Sequence, residues 1–347
     1  MDVKGYFAAS NSGRGFKNYY PRVFGGAEHI YVIKGGPGTG KSRFMREVSD
    51  YAAERGWECE YYYCSSDPTS LDGVMMKKHE ASLAIIDGTP PHAWEPGFPG
   101  VREEIINLGD FWNAAVLTAH KSKLEELNRR KGDCWRRAYK WLEGCLDMCD
   151  IVCGIGERLA MPDEIEQVAA AMLAGVPSGR GYAEEVALID SVGMKGRAAS
   201  GEFFRRAEAV YLIRDRYMTA HMLLRALTNL ARQKGQRVTL SYDPIDPRRL
   251  DGVLLNDARV AAVVSEDSPS RPHEVIYMAE LCRDADDDMA VEACRALSCY
   301  DSMLAGAVDA LGDVSRYHFE VEKIYVSAMD FAAKERFTAQ FCKKLFK

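Results

Sequence analysis

Ile30-Tyr31-Val32-Ile33-Lys34-Gly35-Gly36-Pro37-Gly38-Thr39-Gly40-Lys41-Ser42-Arg43-Phe44-Met45 is the stretch whose reading decides the fold of this chain. Four apolar residues lead into a complete phosphate-binding loop pattern, Gly35 to Ser42. Phe44, Met45, Val48 and Ala52 then recur at helical spacing. Strand, glycine-rich turn and helix follow in the order the motif requires. Gly35, Gly38 and Gly40 allow backbone conformations that a Cβ forbids and turn N–H groups inward, where they and the helix N-terminus meet phosphates. Gly36, Pro37 and Thr39 complete the loop and Arg43 opens the helix behind it. Lys41 is expected at the β and γ phosphates and Ser42 at a Mg2+ ion. ATP with Mg2+ is the leading ligand, and GTP stays open because only its Asn-Lys-x-Asp signature is missing.

The chain also repeats itself. Phe24 to Lys34 returns as Phe204 to Arg214 at an offset of 180 residues, and Ala8-Ala9-Ser10 has an echo in Ala198-Ala199-Ser200. Asp67 to Val74 returns as Asp246 to Val253 at an offset of 179, each block behind a β-rich run, 59–63 and 237–242. One fold written twice is the expectation. In the second copy Lys41 aligns with His221, Gly40 with Ala220 and Ser42 with Met222, and acidic Asp215 stands where phosphate would lie. That half is expected to bind no nucleotide, with His221 structural or solvated, while Leu223-Leu224-Arg225-Ala226-Leu227 keeps the helix pattern.

The apolar run Ala81–Ile86 closes on Asp87-Gly88-Thr89-Pro90-Pro91-His92. A carboxylate at that strand end suits metal binding and catalysis, so Asp87 is the choice and Asp67 the rival. Asp67 persists as Asp246, which suits a turn, whereas Asp87 aligns with the drifted Ser265-Glu266-Asp267. His92 is a candidate for water positioning or phosphate sensing, although Arg271-Pro272-His273 echoes Pro90-Pro91-His92 and favours turn architecture. From Glu103 to about residue 175 the pattern predicts a helical region, with helices over Phe111–Arg130, Asp133–Cys153 and Asp163–Leu173 broken at Gly132 and Gly154-Ile155-Gly156. The second half predicts a strand over Glu274–Leu281, then helices over Asp288–Leu311 and Arg316–Phe346. The acidic run Asp284 to Asp288 reads as a helix start rather than a metal cluster.

A length of 347 residues, 47 % of them hydrophobic, suits two units, 1–185 and 186–347. Lys and Arg total 45 against 51 Asp and Glu, so a formal charge of −6 gives no electrostatic case for nucleic acid or anionic membrane. No stretch approaches the apolar length of a membrane span, and no leader pattern opens the chain, which predicts a cytoplasmic protein. Ten cysteines are too sparse for a secreted disulfide framework. Cys145, Cys149 and Cys153 fall on one helical face, with Cys134 upstream, and read as core packing rather than a metal site.

With Phe7-Ala8-Ala9-Ser10, Leu71-Asp72-Gly73-Val74, Ile105-Ile106-Asn107-Leu108-Gly109 and Met329-Asp330-Phe331 added to the loop and to Asp87–His92, the chain resembles a prokaryotic family of tandem P-loop proteins described as ATPases or ATP-binding proteins. The resemblance spans nearly the whole chain and departs from the family pattern in keeping only the first loop. It implies nucleotide binding and names no further substrate. The expected fold is α/β: duplicated P-loop NTPase-like domains, each a three-layer unit with a mainly parallel sheet and helical insertions, packed as an intramolecular pseudo-dimer. Such packing would let Arg214, Arg216, Arg248 or Arg249 serve as an internal arginine finger. ATP hydrolysis is the leading activity. A small-molecule kinase using Asp67 or Asp87 and a non-catalytic ATP-dependent switch with a protein partner are the alternatives.

Overall fold

Ile30 and Val32 of the strand before the loop bury into one core and Tyr31 and Ile33 into another, so this strand is covered on both faces. The computed structural model describes residues 2–3, 5–266 and 272–346, leaving Asp267 and Arg271 of the aligned segments outside the described residues. The first half runs β1 (Asp2–Val3), β2 (Tyr6–Phe7), β3 (Ala9–Ser12), β4 (Gly15–Asn18), α1 (Tyr20–Val23), β5 (His29–Lys34), α2 (Lys41–Ala53), β6 (Glu58–Tyr63), β7 (Leu71–Lys78), β8 (Ala81–Asp87), β9 (Glu103–Asn107), α3 (Ala114–Ala119), α4 (Lys121–Leu159) and α5 (Pro162–Met172). The second runs β10 (Ala183–Val186), β11 (Asp190–Gly193), β12 (Gly196–Ser200), α6 (Glu202–Arg206), β13 (Ala209–Arg214), α7 (Ala220–Gln233), β14 (Arg237–Tyr242), β15 (Leu250–Leu255), β16 (Val260–Val264), β17 (Glu274–Tyr277), α8 (Asp287–Ala328) and α9 (Phe331–Leu345). The first sheet is ordered β2-β6-β7-β8-β5-β9 and the second β10-β14-β15-β16-β13-β17, so the two halves share one topology. Both sheets are mixed. β7 and β15 run against their neighbours and the remaining pairs are parallel.

The expected three layers per unit are not what forms. Each sheet carries long helices on one face only. The other faces of the two sheets meet in a single core, in which Ile30, Val32, Met75 and Ile86 join Leu254, Ala261 and Val263 around Tyr20, Phe24 and Phe203. A Cβ on Gly73 would lie 2.4 Å from the Phe24 ring, and one on Gly252 less tightly, 3.1 Å, against the Phe203 ring. The packing counterpart of Phe24 is therefore Phe203, one residue from the partner that the sequence repeat assigns.

The helices cross between the halves. α5, from the first half, covers α7 and the second sheet through Ile165, Ala169 and Met172. α9, at the end of the chain, covers α2 and the first sheet: Phe337 and Phe341 pack on Phe44, and buried Lys334 reaches Glu47 at 3.1 Å. Isolated bridges Trp112 to Met329 and Ala160 to Cys282 fasten the two crossings. Three further expectations are corrected. Glu103–Asn107 is strand β9, and α4 runs unbroken through Gly132, Gly154 and Gly156. Glycine weakens a helix interior by only about 1 kcal/mol, and at Gly156 a Cβ would stand 2.5 Å from Thr219 and 2.6 Å from Tyr217, so packing demands it. Glu274–Leu281 is a strand only to Tyr277 and then a 3-10 turn. Among the described residues no helix is long and apolar enough to cross a membrane.

Because Phe44 is fully buried with the α9 rings packed against it, Phe44→Ala should cost about 3–5 kcal/mol in denaturant unfolding. Combined with Phe341→Ala, the double variant should deviate from additivity by about 0.5–3 kcal/mol. Additive losses would mean that α9 does not share this core.

Candidate functional site

In open α/β sheets ligands bind beyond the carboxyl ends of the parallel strands, and on the first sheet that edge gathers the loop after β5, Asp87 at the end of β8 and Cys64 after β6. β7 runs the other way, so its first residues reach the same edge. Gly38 and Gly40 have φ of 75° and 82°, the left-handed region that glycine enters freely, and α2 starts at Lys41. Lys41 Nζ donates to the carbonyls of Gly35 (2.9 Å) and Gly36 (3.1 Å) and lies 3.5 Å from Asp87 Oδ2. Thr89 N donates to Asp87 Oδ1 at 2.8 Å and so orients the carboxylate. Ser42 Oγ accepts from Leu71 N at 3.0 Å, tying the helix start to β7.

Asp67 and His92 have other surroundings. Asp67 Oδ1 accepts from Thr69 N, Thr69 Oγ1 and Lys195 Nζ. Burial raises its pKa, but these hydrogen bonds outweigh burial and hold the carboxyl below its usual range. It closes the turn into β7, as Asp246 does before β15 by accepting from Arg248 N. His92 is buried with Nε2 3.1 Å from Asp72 Oδ2, stacked on Tyr20 and edge-on to Phe16. Asp72 occupies a β-bulge, since Tyr62 pairs with Gly73 and Tyr63 with Leu71. Burial pushes the Asp72 carboxyl up to about 6 against the opposing charge of His92.

Elements of the second half complete this edge. A Cβ on Gly36 would stand 2.7 Å from the Tyr325 ring, and one on Gly38 2.9 Å from Glu322, so the end of α8 rests on the loop. Burial, with Asp67 nearby, raises the Glu322 pKa against Lys41. Burial, then Lys131 and Lys41, lowers that of His318. Asp72 stood in the repeated Leu-Asp-Gly-Val block, a signal that marked it. Glu322, His318 and Lys131 carried none, because nothing local says which helix crosses to which sheet.

The same edge of the second sheet is built differently. Asp215, in the place of Gly35, accepts from Thr219 N (3.0 Å) and Ala220 N (2.7 Å), so a carboxylate of the chain itself caps the start of α7. Pairing also fixes the counterpart of Asp87: Ile33 faces Asp87 across β5 and β8, and Ile213 faces Val264 across β13 and β16. The carboxylate is replaced by valine, not by Ser265, Glu266 or Asp267. The likeness of His273 to His92 does not survive either, because His273 precedes β17 and sits edge-on to Tyr211. His221 is buried and its Nδ1 is 3.1 Å from the Met218 carbonyl. Arg248 pairs with Asp246 and Asp150, Arg249 lies 3.2 Å from Asp246, Arg214 reaches Ser265 O, and Arg216 lies over Tyr217. All four arginines are engaged around the second sheet, Arg248 through Asp150 of α4 as well as Asp246.

A cavity of about 440 Å3 opens there, lined in part by Asp190, Arg197, Asp243 and Asp251. Asp251 sits in the bulge matching that of Asp72, because Ser241 pairs with Gly252 and Tyr242 with Leu250. Comparison with protein-family models, curated proteins and solved structures finds no match to this chain.

Burial pushes the Asp251 carboxyl up to about 8, opposed by a hydrogen bond with Ser241 and by Arg197 and reinforced by Asp243 and Asp190. A pKa raised on folding contributes stability below the unfolded carboxyl value of about 4, and that contribution is lost as pH rises through the folded value. Asp251→Asn keeps the shape without the charge, so its stability relative to the native chain should improve between about pH 5 and about pH 9. The gain should approach about 4 kcal/mol, the linkage equivalent of a carboxyl moved from about 4 to about 8. Equal differences at both pH values in thermal melts would contradict a buried, proton-holding Asp251.

Proposed function

We propose that the first half binds ATP with Mg2+ through residues 35–43 and hydrolyses it, and that the second half is a nucleotide-free copy of the same P-loop fold. The observation that carries this reading is the meeting of Lys41 and Asp87, 3.5 Å apart, under a glycine loop at the carboxyl end of β5. A cation and a carboxylate in that position match the two charges that phosphoryl transfer needs. Phosphate oxygens are stronger acceptors than the carbonyls of Gly35 and Gly36, so Lys41 Nζ would turn to them. The loop amides would stabilise charge developing on the γ phosphate. Ser42 and Asp87 would hold Mg2+, which supplies further neutralisation of the phosphates. Held against Asp72, His92 is a positioning residue at most. The second half supports the reading by contrast: Asp215 takes the amides that phosphate would use, and Val264 cannot bind metal.

The contact of Tyr325 and Glu322 with the loop favours a second reading, in which the nucleotide acts as a switch on α8. Protease protection of α8 that depends on ATP while turnover stays slow would select it; turnover without such protection would select the enzyme.

Calorimetry on the full chain should give about one ATP per chain, and Lys41→Ala should weaken binding more than about tenfold, roughly 1.4 kcal/mol, while His221→Ala stays within about threefold. A stoichiometry near two, or unchanged affinity in a folded Lys41→Ala variant, would overturn the assignment. Asp87→Asn should reduce Mg2+-dependent phosphate release; full activity in that variant would remove Asp87 from the site.

A further inference from the structure

We propose that Cys64, Asp72 and His92 form a zinc site on the edge of the first sheet, distinct from the Mg2+ position assigned to Ser42 and Asp87. The three residues come from separate segments: the turn after β6, the bulge in β7 and the loop after β8. Their Sγ, carboxylate oxygen and imidazole nitrogen all lie within 4.8 Å of one another. Tetrahedral zinc holds sulfur at about 2.3 Å and nitrogen or oxygen at about 2.0–2.2 Å, so its ligand atoms stand about 3–4 Å apart. His92 Nε2 and Asp72 Oδ2 are already 3.1 Å apart.

The polar atoms at this point lack partners outside the cluster. Asp72 and His92 are 4 % and 6 % exposed, yet among the described residues Asp72 Oδ2 meets only the other two members of the cluster and His92 Nδ1 makes no hydrogen bond. Buried polar atoms in folded proteins are nearly always partnered. A thiolate, a carboxylate and a neutral imidazole would offset the charge of a divalent cation, leaving no net charge to bury. Sulfur and imidazole nitrogen select zinc over Mg2+, which prefers oxygen. The rings of Tyr20 and Phe16 hold the imidazole plane, and the Tyr20 hydroxyl donates to the Asp72 carbonyl at 3.2 Å.

The second half repeats the bulged aspartate without these partners. Asp251 shares its cavity with Asp243, in the place of Cys64, and with Arg197. A guanidinium there repels a metal ion, so one zinc per chain is expected. Among the described residues the other cluster of this kind, Cys153, Glu157 and His221, draws two ligands from one turn of α4, and its Glu157 side chain is 56 % exposed.

The full chain, loaded with Zn2+ and desalted, should retain about one zinc per chain by elemental analysis. Cys64→Ser, Asp72→Asn and His92→Ala should each lower affinity about 10–100-fold or more. With Co2+ as the probe, the native chain should show tetrahedral visible bands and a thiolate charge-transfer band, the latter lost in Cys64→Ser and unchanged in Cys153→Ser. Ser42→Ala should keep the zinc. The proposal is overturned if the native chain retains no metal, if its Co2+ spectrum is that of an octahedral oxygen site, or if Cys153→Ser or Ser42→Ala releases the metal while Cys64→Ser does not. The native spectrum alone decides the matter if the variants do not fold.

Discussion

The packing of α4 against α8 is the constraint on which the rest of the molecule depends. Contacts pair Arg137 with Asp313, Trp141 with Gly306, Gly144 with Met303 and Cys145 with Tyr300, so the helices run antiparallel. The close approach rests on two glycines in matching positions: a Cβ on Gly144 would stand 2.7 Å from Met303 Sδ, and one on Gly306 2.9 Å from the Trp141 ring. At 39 and 42 residues the helices extend about 60 Å at 1.5 Å per residue. That length carries each past its own sheet, so α5 and α9 dock on the opposite half. The exchange is therefore a consequence of helix length and register.

Once the exchange is made, each sheet's ligand edge is finished by the other half. Gly156 of α4 lies against Tyr217 and Thr219, and Tyr325 of α8 lies against Gly36. The scaffold is the same at both edges, but the charges diverge. The first gathers a lysine, a glycine loop and a carboxylate. The second satisfies its amides with Asp215 and crowds Asp190, Asp243 and Asp251 around Arg197. Fixed carboxylates near a site disfavour an anionic ligand, and Val264 leaves no carboxylate at the strand end.

The parts of this arrangement legible in the sequence are those written in local chemistry. The loop, the helix behind it, β6, β8 and β14 follow from glycine placement and apolar patterning, and the repeat foretold two similar sheets. What escaped is set by tertiary packing. β9 is half-exposed and alternates too briefly to stand out from the helices that follow. Gly132 and Gly154 resemble breaks, yet α4 continues because its buried face, with Cys145 and Cys149, is already paid for by α8. The counterpart of Asp87 was misassigned because the β15–β16 hairpin is two residues shorter than the β7–β8 hairpin (Gly73 pairs Ile86, Gly252 pairs Val263), and that of His92 because the segment after β16 is shorter too; only the ladder with β13 reveals that Val264 closes the strand. Cys64 gave no signal alone; it acquires meaning when the β7 bulge turns Asp72 toward it.

The continuity of α8 has a mechanical consequence. Its first half carries Tyr300, which lines the cavity of the second sheet, and its last turns carry Glu322 and Tyr325, which rest on the first loop. Between them lies no proline, and the helix is held along its length by α4. A helix held in this way shifts as a body more readily than it bends. Any movement of Gly36 or Gly38 away from its present position must therefore be absorbed either by rotation of the Tyr325 and Glu322 side chains or by displacement of α8 against Trp141 and Gly144. The first route is local. The second reaches Tyr300 and the buried carboxylates around Asp251, so the tightness of the Gly144–Met303 contact sets how far the two edges are independent.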